Sequence, residues 1–244
     1  MSCDKTERLA HFLLKRVNKA VREYRMIDEG DRIAVAVSGG KDSLTLLKIL
    51  QYRQRFAKED YSITAVHVVG DARGTDISPY PQLQEWLATQ EIEYLIRPLY
   101  VPEGEKLPMT CQRCTWNRRR TIFEMAGELG CNKVAFGHHL DDLAETALLN
   151  LFYNGRNETM APAAAYFGGK FTLIRPLIYV PEREIERFAA AHDFPEPPPM
   201  CPTGMHTQRR RIKEIIAEMA HDCPKIKANI VRAALTAQNS QCDF

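Results

Sequence analysis

The chain has 244 residues, of which 45% are hydrophobic and 26% charged, and 33 Lys and Arg face 31 Asp and Glu for a net charge of +2. That is enough chain for one large α/β domain, or one domain with a small appendage, and so slight a charge neither demands nor excludes a nucleic-acid partner. No apolar run approaches the roughly 20 residues needed to span a bilayer, and Met1-Ser2-Cys3-Asp4-Lys5 lacks the charged-then-apolar pattern of a signal peptide, so the expected location is the cytoplasm, with no membrane partner.

In chain order, Leu9, Phe12, Leu13, Val17 and Val21 mark an amphipathic helix over about Lys5–Tyr24. The β-branched run Ile33-Ala34-Val35-Ala36-Val37 predicts a first strand, followed by a Gly-rich turn and a helix over about Ser43–Phe56. A second strand spans Ile63–Val69 and contains His67; the polar loop Gly70–Ser78 leads to a helix over about Tyr80–Thr89 and a third strand near Glu93–Arg97. A loop carrying Cys111-Gln112-Arg113-Cys114 precedes a helix over about Thr115–Leu129. Lys133–Phe136 reads as a fourth strand, with a helix to about Tyr153 after the turn Gly137–Asp142, and Phe171–Ile174 as a fifth. A helix from Pro181 to about His192, an irregular Pro195–Pro202 stretch, and helices over about Thr207–Ala220 and Pro224–Ala237 complete the chain. The alternation predicts an α/β fold: a doubly wound, mainly parallel five-stranded sheet with helical segments at both ends. The expected division is residues 1–30 as an N-terminal helical segment, 31–180 as the sheet domain, and 181–244 as a C-terminal helical segment carrying Cys201.

Three constellations carry chemistry; the Ser38–Ser43 loop, the Gly137–Asp142 loop and the C-x-x-C loop all lie at the carboxyl edge where such sheets bind ligands. The first is Val37-Ser38-Gly39-Gly40-Lys41-Asp42-Ser43. Exposed backbone N–H groups at a helix N-terminus, two glycines permitting close approach, and the Lys41 charge make a phosphate site. It is not the common nucleotide P-loop, which places a glycine where Val35 stands and a Ser or Thr where Asp42 stands. The second is Gly137-His138-His139-Leu140-Asp141-Asp142-Leu143-Ala144-Glu145-Thr146, whose adjacent carboxylates Asp141 and Asp142 offer Mg²⁺ ligands or a general base. The third is the trio Cys111, Cys114 and Cys201. A C-x-x-C pair alone fits a redox pair or half a zinc site. Three thiols, one of them remote, suit a 4Fe-4S cubane with one iron left open, one fewer than the usual four thiolates.

Ser38–Ser43 resembles the pyrophosphate loop of the ATP pyrophosphatase (PP-loop) superfamily, which breaks ATP between its α and β phosphates and adenylates a carbonyl oxygen. Gly137–Thr146 resembles that superfamily's His-x-x-Asp-Asp-x-x-Glu-Thr pattern. With Cys111-x-x-Cys114 before Arg118-Arg119 and Cys201 before Gln208-Arg209, the span from about Asp31 to Ile216 resembles the tRNA 2-thiocytidine synthetases. Members of that family usually carry a second cysteine just before the equivalent of Cys201, where this chain has prolines and Met200, and run longer at both ends.

The resemblance implies a cytosolic ATP- and Mg-dependent enzyme that thiolates a tRNA base, with cytidine C2 as the target, through an adenylated intermediate. Val37, Ser38, Gly39, Gly40, Lys41, Asp42, Ser43, His67 and Gly137 would bind ATP, and Lys41, Asp141 and Asp142 would serve catalysis. Cys111, Cys114 and Cys201 would hold the cluster. Arg118, Arg119, Arg120, Arg209, Arg210 and Arg211 would meet tRNA phosphates. Sulfide or a donor such as a cysteine desulfurase would supply sulfur, and a homodimer is the expected assembly. Thiolation or amidation of a small metabolite is the competing reading, and a non-catalytic nucleotide and cluster sensor the third.

Overall fold

The computed structural model describes residues 5–74, 80–197 and 207–241. Cys201, and with it the remote arm of the predicted cysteine trio, lies outside the described residues.

Helix α1 (Lys5–Glu23) leads into β1 (Asp31–Ala36), α2 (Lys41–Gln54), β2 (Tyr61–Val69), α3 (Pro81–Ala88) and β3 (Glu93–Pro98). Then come α4 (Cys111–Glu128), β4 (Lys133–Ala135), α5 (Leu140–Asn154), β5 (Ala163–Tyr166), β6 (Phe171–Ile174), α6 (Glu182–Ala189), α7 (Thr207–Asp222) and α8 (Ile226–Gln241). The sheet runs β3-β2-β1-β4-β6-β5, parallel throughout except for the β5–β6 pair. The order therefore reverses between β1 and β4, which opens a crevice beyond their carboxyl ends.

Both faces of the sheet are covered, so its central strands are apolar on both sides. Ile33, Val35 and Ala65 belong to one core, built with α1, α2, α5 and α6. Ala34, Val66 and Val68 belong to the other, built mainly with Ile122, Phe123, Met125 and Ala126 of α4. Along α1, Ala10, Leu13, Leu14, Val17, Ala20 and Val21 recur at three- and four-residue steps and are buried, as its amphipathic pattern requires.

Two details differ from expectation. The sheet has a sixth strand, β5, whose Ala-Ala-Ala-Tyr sequence carries no β-branched signal; its pairing with β6 supplies the order that propensity does not. The C-x-x-C pair sits in the first turn of α4, not in a loop before it. Thr110 is the N-cap, its hydroxyl accepting from the Arg113 N–H at 3.2 Å, and this starts the helix at Cys111. Among the described residues no helix is long and apolar enough to cross a membrane.

Phe188 of α6 is fully buried, edge-on to Tyr52 at 6.4 Å and stacked on His192 at 3.9 Å between ring centroids. Phe188→Ala is expected to cost about 3–5 kcal/mol of stability in urea unfolding, in line with other large-to-small changes in a packed core.

Candidate active site at the carboxyl edge of the sheet

The turn between β1 and α2 is closed by its own serines. Ser43 Oγ accepts from the Ser38 N–H at 3.1 Å and donates to the Gly40 carbonyl at 2.9 Å, while Gly39 takes φ +87°. A side chain at Gly39 would strain that turn. Gly40 is the N-cap of α2 and brings no side chain to cap it, so the first amides of α2 remain available to an anion. Val37 is held from both sides: its N–H bonds to Val66, and its carbonyl accepts from His67 Nδ1 at 2.7 Å. Burial lowers the His67 pKa, and the ring serves as a neutral strut beneath the loop.

The second turn, between β4 and α5, lies directly against the first. A Cβ on Gly137 would stand 3.0 Å from the Asp42 carbonyl carbon and oxygen and from the Ser43 nitrogen, so the facing backbone would have to give by a few tenths of an ångström. The His139 N–H donates to Asp142 Oδ2 at 3.0 Å. The buried His139 ring sets Nε2 between the two loops, 3.4 Å from Asp142 Oδ2 and 3.7 Å from Asp42 Oδ1. Asp42 Oδ1 is itself buried; Lys41 Nζ is 3.2 Å away, yet the oxygen accepts no hydrogen bond among the described residues.

The two adjacent acids divide. Asp142 faces the crevice, with Arg209 of α7 at 3.5 Å from its Oδ1. Asp141 is buried facing away from it, accepting from the Glu182 N–H at 2.9 Å through Oδ2 and pairing with Lys227 of α8 through Oδ1. Glu182 in turn holds Lys41 at 3.0 Å and Lys213 of α7 at 2.9 Å. Burial would raise the Glu182 carboxyl, but Lys213 and Lys41 outweigh it and bring the pKa to about 2. Burial also opposes the Lys41 charge; Glu182 and Asp42 prevail, and its pKa lies above the ordinary lysine value.

Between the loops lies a cavity of about 370 Å³, lined by Val37, Ser38, Asp42, Gly137, His138 and Asp142. Phe136 and Ile122 supply apolar wall, and Arg118 and Arg209 enter from α4 and α7. His138 stacks on Phe136 at 5.8 Å and accepts from Arg175 Nε at 3.3 Å through Nδ1, which puts its ring proton on Nε2. Burial, with Arg175 next, lowers its pKa to about 4, so a neutral N–H donor belongs to this wall at physiological pH.

Cys111 and Cys114 occupy the first turn of α4, both half-buried. Three residues apart, they share one side of the helix. Arg118, one turn beyond Cys114, bonds to the Val68 and Gly70 carbonyls, and both it and Ile122 line the cavity. One side of α4 thus runs from the cysteine pair to the crevice.

The arginine triplets do not act as blocks, because neighbouring residues on a helix point about 100° apart. Arg118 and Arg209 turn into the crevice. Arg120 stacks on Tyr100 at 3.8 Å and pairs with Glu124, and Arg210 pairs with Glu214 at the surface, where Arg211 is also exposed. Arg119 is half-buried. Glu182, Lys213, Arg175 and Phe136 carry no recognisable signal in the chain: an acid in a first helical turn is favoured by the helix dipole wherever it occurs.

A sheet that reverses at β1 and β4, with a Ser-Gly-Gly-Lys-Asp-Ser loop on its carboxyl edge, defines a PP-loop protein, and the PP-loop domain family model matches residues 9–195. The tRNA-cytidine(32) 2-sulfurtransferase of Syntrophotalea carbinolica is 39% identical over 232 residues, covering 93% of this chain and 89% of that protein. The enzyme of the same name from Coxiella burnetii is 37% identical over 241 residues, covering 96% and 93%. This chain belongs to the PP-loop family, within the tRNA-cytidine(32) 2-sulfurtransferases. Among solved structures, the U34-tRNA thiolase NcsA from Methanococcus maripaludis, determined with its 4Fe-4S cluster, shares the fold at a TM-score of 0.75 and 21% identity over 95% of this chain and 79% of its own.

Two outcomes test this geometry. Gly137→Ala is expected to remain folded but to weaken ATP binding at least tenfold, measured by titration with a fluorescent ATP analogue, because the two loops must separate. The folded pKa of Glu182, about 2, lies below its ordinary value of 4.5, so its ion pairs stabilise the protein fully above pH 4.5 and are lost as the pH falls toward 2. Thermal melting between pH 6 and pH 2.5 should therefore show a shallower acid decline in Glu182→Gln than in the wild type.

Proposed function

We propose that this chain uses ATP to thiolate a tRNA base, replacing the C2 oxygen of a cytidine with sulfur. The observation that carries the reading is that the pyrophosphate loop, the Gly137–Asp142 turn and Arg118 and Ile122 of α4 border one cavity, with the cysteine pair on the same side of α4, a turn before Arg118. The target base is unstacked, since C2 is out of reach inside a paired helix.

In this reading the β and γ phosphates of ATP lie on the Ser38–Ser43 amides at the start of α2, and the α phosphate faces the cavity. The base's C2 oxygen attacks the α phosphorus, the bond to the β phosphate breaks, and pyrophosphate leaves while AMP stays on the base oxygen. Lys41 stabilises the leaving pyrophosphate, a preorganised electrostatic task. Glu182 keeps that lysine charged and aimed until phosphate competes for it. Mg²⁺ fits Asp42 and Asp142. Among the described residues no three His, Cys, Asp or Glu side chains gather to enclose a metal ion, and Mg²⁺ is ordinarily held by one or two carboxylates together with substrate phosphates. Asp42 Oδ1, buried and accepting no hydrogen bond among the described residues, is the oxygen such an ion would satisfy. Asp141 positions α6 and α8 behind the loop. The neutral His138 Nε2–H donates to the phosphate or to the activated base.

The donor chemistry fits a 4Fe-4S cluster: Cys111 and Cys114 are half-buried thiols at a helix N-terminus, and Cys201 is the third ligand. Held by these cysteines, the cluster would supply sulfur at the sulfide level. On the base, C2 gains its bond to sulfur and loses its bond to the adenylated oxygen, which departs with AMP. Sulfide or a donor protein such as a cysteine desulfurase replenishes that sulfur. Arg118 and Arg209 place positive charge where AMP departs.

The test is thiolation of unmodified tRNA by the anaerobically reconstituted protein, with AMP and pyrophosphate formed in equal amounts. Lys41→Ala is expected to lower the rate at least a hundredfold while the iron content is retained. Cys201→Ala should lose most of the roughly four irons and four acid-labile sulfides that such a cluster contains. ATP cleavage without tRNA thiolation would overturn the substrate, and wild-type iron content in Cys201→Ala would overturn the ligand set.

A further inference from the structure

A second cavity, of about 450 Å³, lies between α1, the start of α8 and the segment before α6. Its rim carries four cations, Arg16, Lys19, Lys225 and Arg232, against one carboxylate, Glu23. With Arg16 paired to Glu184, Lys19, Lys225 and Arg232 against Glu23 still leave this one face with a positive excess equal to the net charge of the whole chain, +2. Arg16 is neutralised by a two-pronged pair with Glu184 at 3.0 Å, and Glu23 accepts from the Tyr179 hydroxyl at 2.8 Å. Lys19 lies over the Tyr179 ring at 4.5 Å, and Arg232 bonds only to the neutral Asn229 side chain among the described residues. Lys225, exposed, stands just before the positive N-terminal end of α8. The floor is apolar, made by Leu140, Val231 and Leu235, with the Tyr24 and Tyr179 hydroxyls 3.2 Å apart at its edge.

This cavity sits behind the catalytic turn. Leu140 lines it, whereas His138 and Asp142, two residues away on either side, line the nucleotide crevice. Asp141, between the two, holds Lys227 of α8. We propose that this cleft is a binding site for the phosphodiester backbone of the tRNA substrate, with Lys19, Lys225 and Arg232 as its phosphate contacts. The proposal rests on the tRNA reading above and deepens it. Separate cations on two helices suit successive phosphates of a polymer, and the apolar and tyrosine floor accommodates the sugar faces between them. Lysine and arginine at such a surface bind whatever the base sequence and position the chain, leaving selection to the crevice.

The test measures binding of a labelled, unmodified tRNA transcript to the full chain across a salt series. Lys225→Glu with Arg232→Glu is expected to weaken binding about tenfold. It should also make the slope of log affinity against log salt shallower by about 1.4 to 1.8, the loss of two phosphate contacts. Arg55→Glu with Lys58→Glu removes the same charge from an exposed face elsewhere and should change affinity less than twofold. Equal weakening in that control, or an unchanged slope in the cleft variant, overturns the proposal. If the reversals lower the melting temperature, Lys225→Gln with Arg232→Gln carries the test, with a smaller loss of affinity and the same change in slope. A wild-type chain that fails to bind tRNA defeats the tRNA reading itself, whereas tight wild-type binding with an indifferent cleft defeats this inference alone.

Discussion

Two backbone turns meet at Gly137 so closely that a methyl group there would push them apart by a few tenths of an ångström, and the arrangement of the site depends on that contact. It brings the pyrophosphate loop of β1 and the acidic turn of β4 together at the point where the strand order reverses. Because β1 and β4 are parallel neighbours in register, Ile33 beside Lys133 and Val35 beside Ala135, their two turns leave the sheet at the same height. Asp42, His139 and Asp142 are then forced into proximity by backbone geometry, and no flexible side chain has to reach across. A closely packed backbone is a stiffer reference than a salt bridge, which suits a site that must hold a polyphosphate in line with an attacking oxygen.

Around that contact the charges are arranged in pairs that each tie a separate helix to the loop. Glu182 links Lys41 of the loop to Lys213 of α7, and Asp141 links the acidic turn to Lys227 of α8. Arg209 adds a third tie, from α7 to Thr146 and the Asp142 and Glu145 carboxylates of α5. Burial raises the pKa of Glu145 in spite of that arginine, so its negative charge is held at some cost. In the proposed reading, a phosphate entering the loop competes with Glu182 for Lys41. That reading links nucleotide occupancy to the placement of the C-terminal helices through one carboxylate, and the segment between α6 and α7 contains Cys201.

Helix α4 does for the other side of the crevice what the charge pairs do for the first. Its inner residues, Ile122, Phe123, Met125 and Ala126, anchor it to the sheet, and Arg118 fastens it to the carbonyls at the end of β2. The cysteine pair is thereby carried on a rigid element with its first turn capped by Thr110. In the proposed reading, where this pair holds a sulfur-bearing cluster, such anchoring matters because a small misplacement costs reactivity steeply.

Much of this was legible in the chain because it is local. The order of strands and helices, the phosphate loop and the acidic turn follow from β-branched runs, helical spacing and glycine placement, all of which act within a few residues. The C-x-x-C pair was visible too, although its place on a helix turned on one N-cap hydroxyl. What the chain did not disclose is long-range. Strand β5 forms only because β6 offers an edge, and Glu182 matters only because folding brings Lys41 and Lys213 to either side of it. The different fates of Asp141 and Asp142, and of Arg118 and Arg120, arise because adjacent helical residues face directions about 100° apart. Short-range preferences set which elements form, but the partner of each charge is decided by contacts between residues far apart in the chain, 141 positions for Lys41 and Glu182 and 168 for Arg16 and Glu184, and only the packed fold creates them.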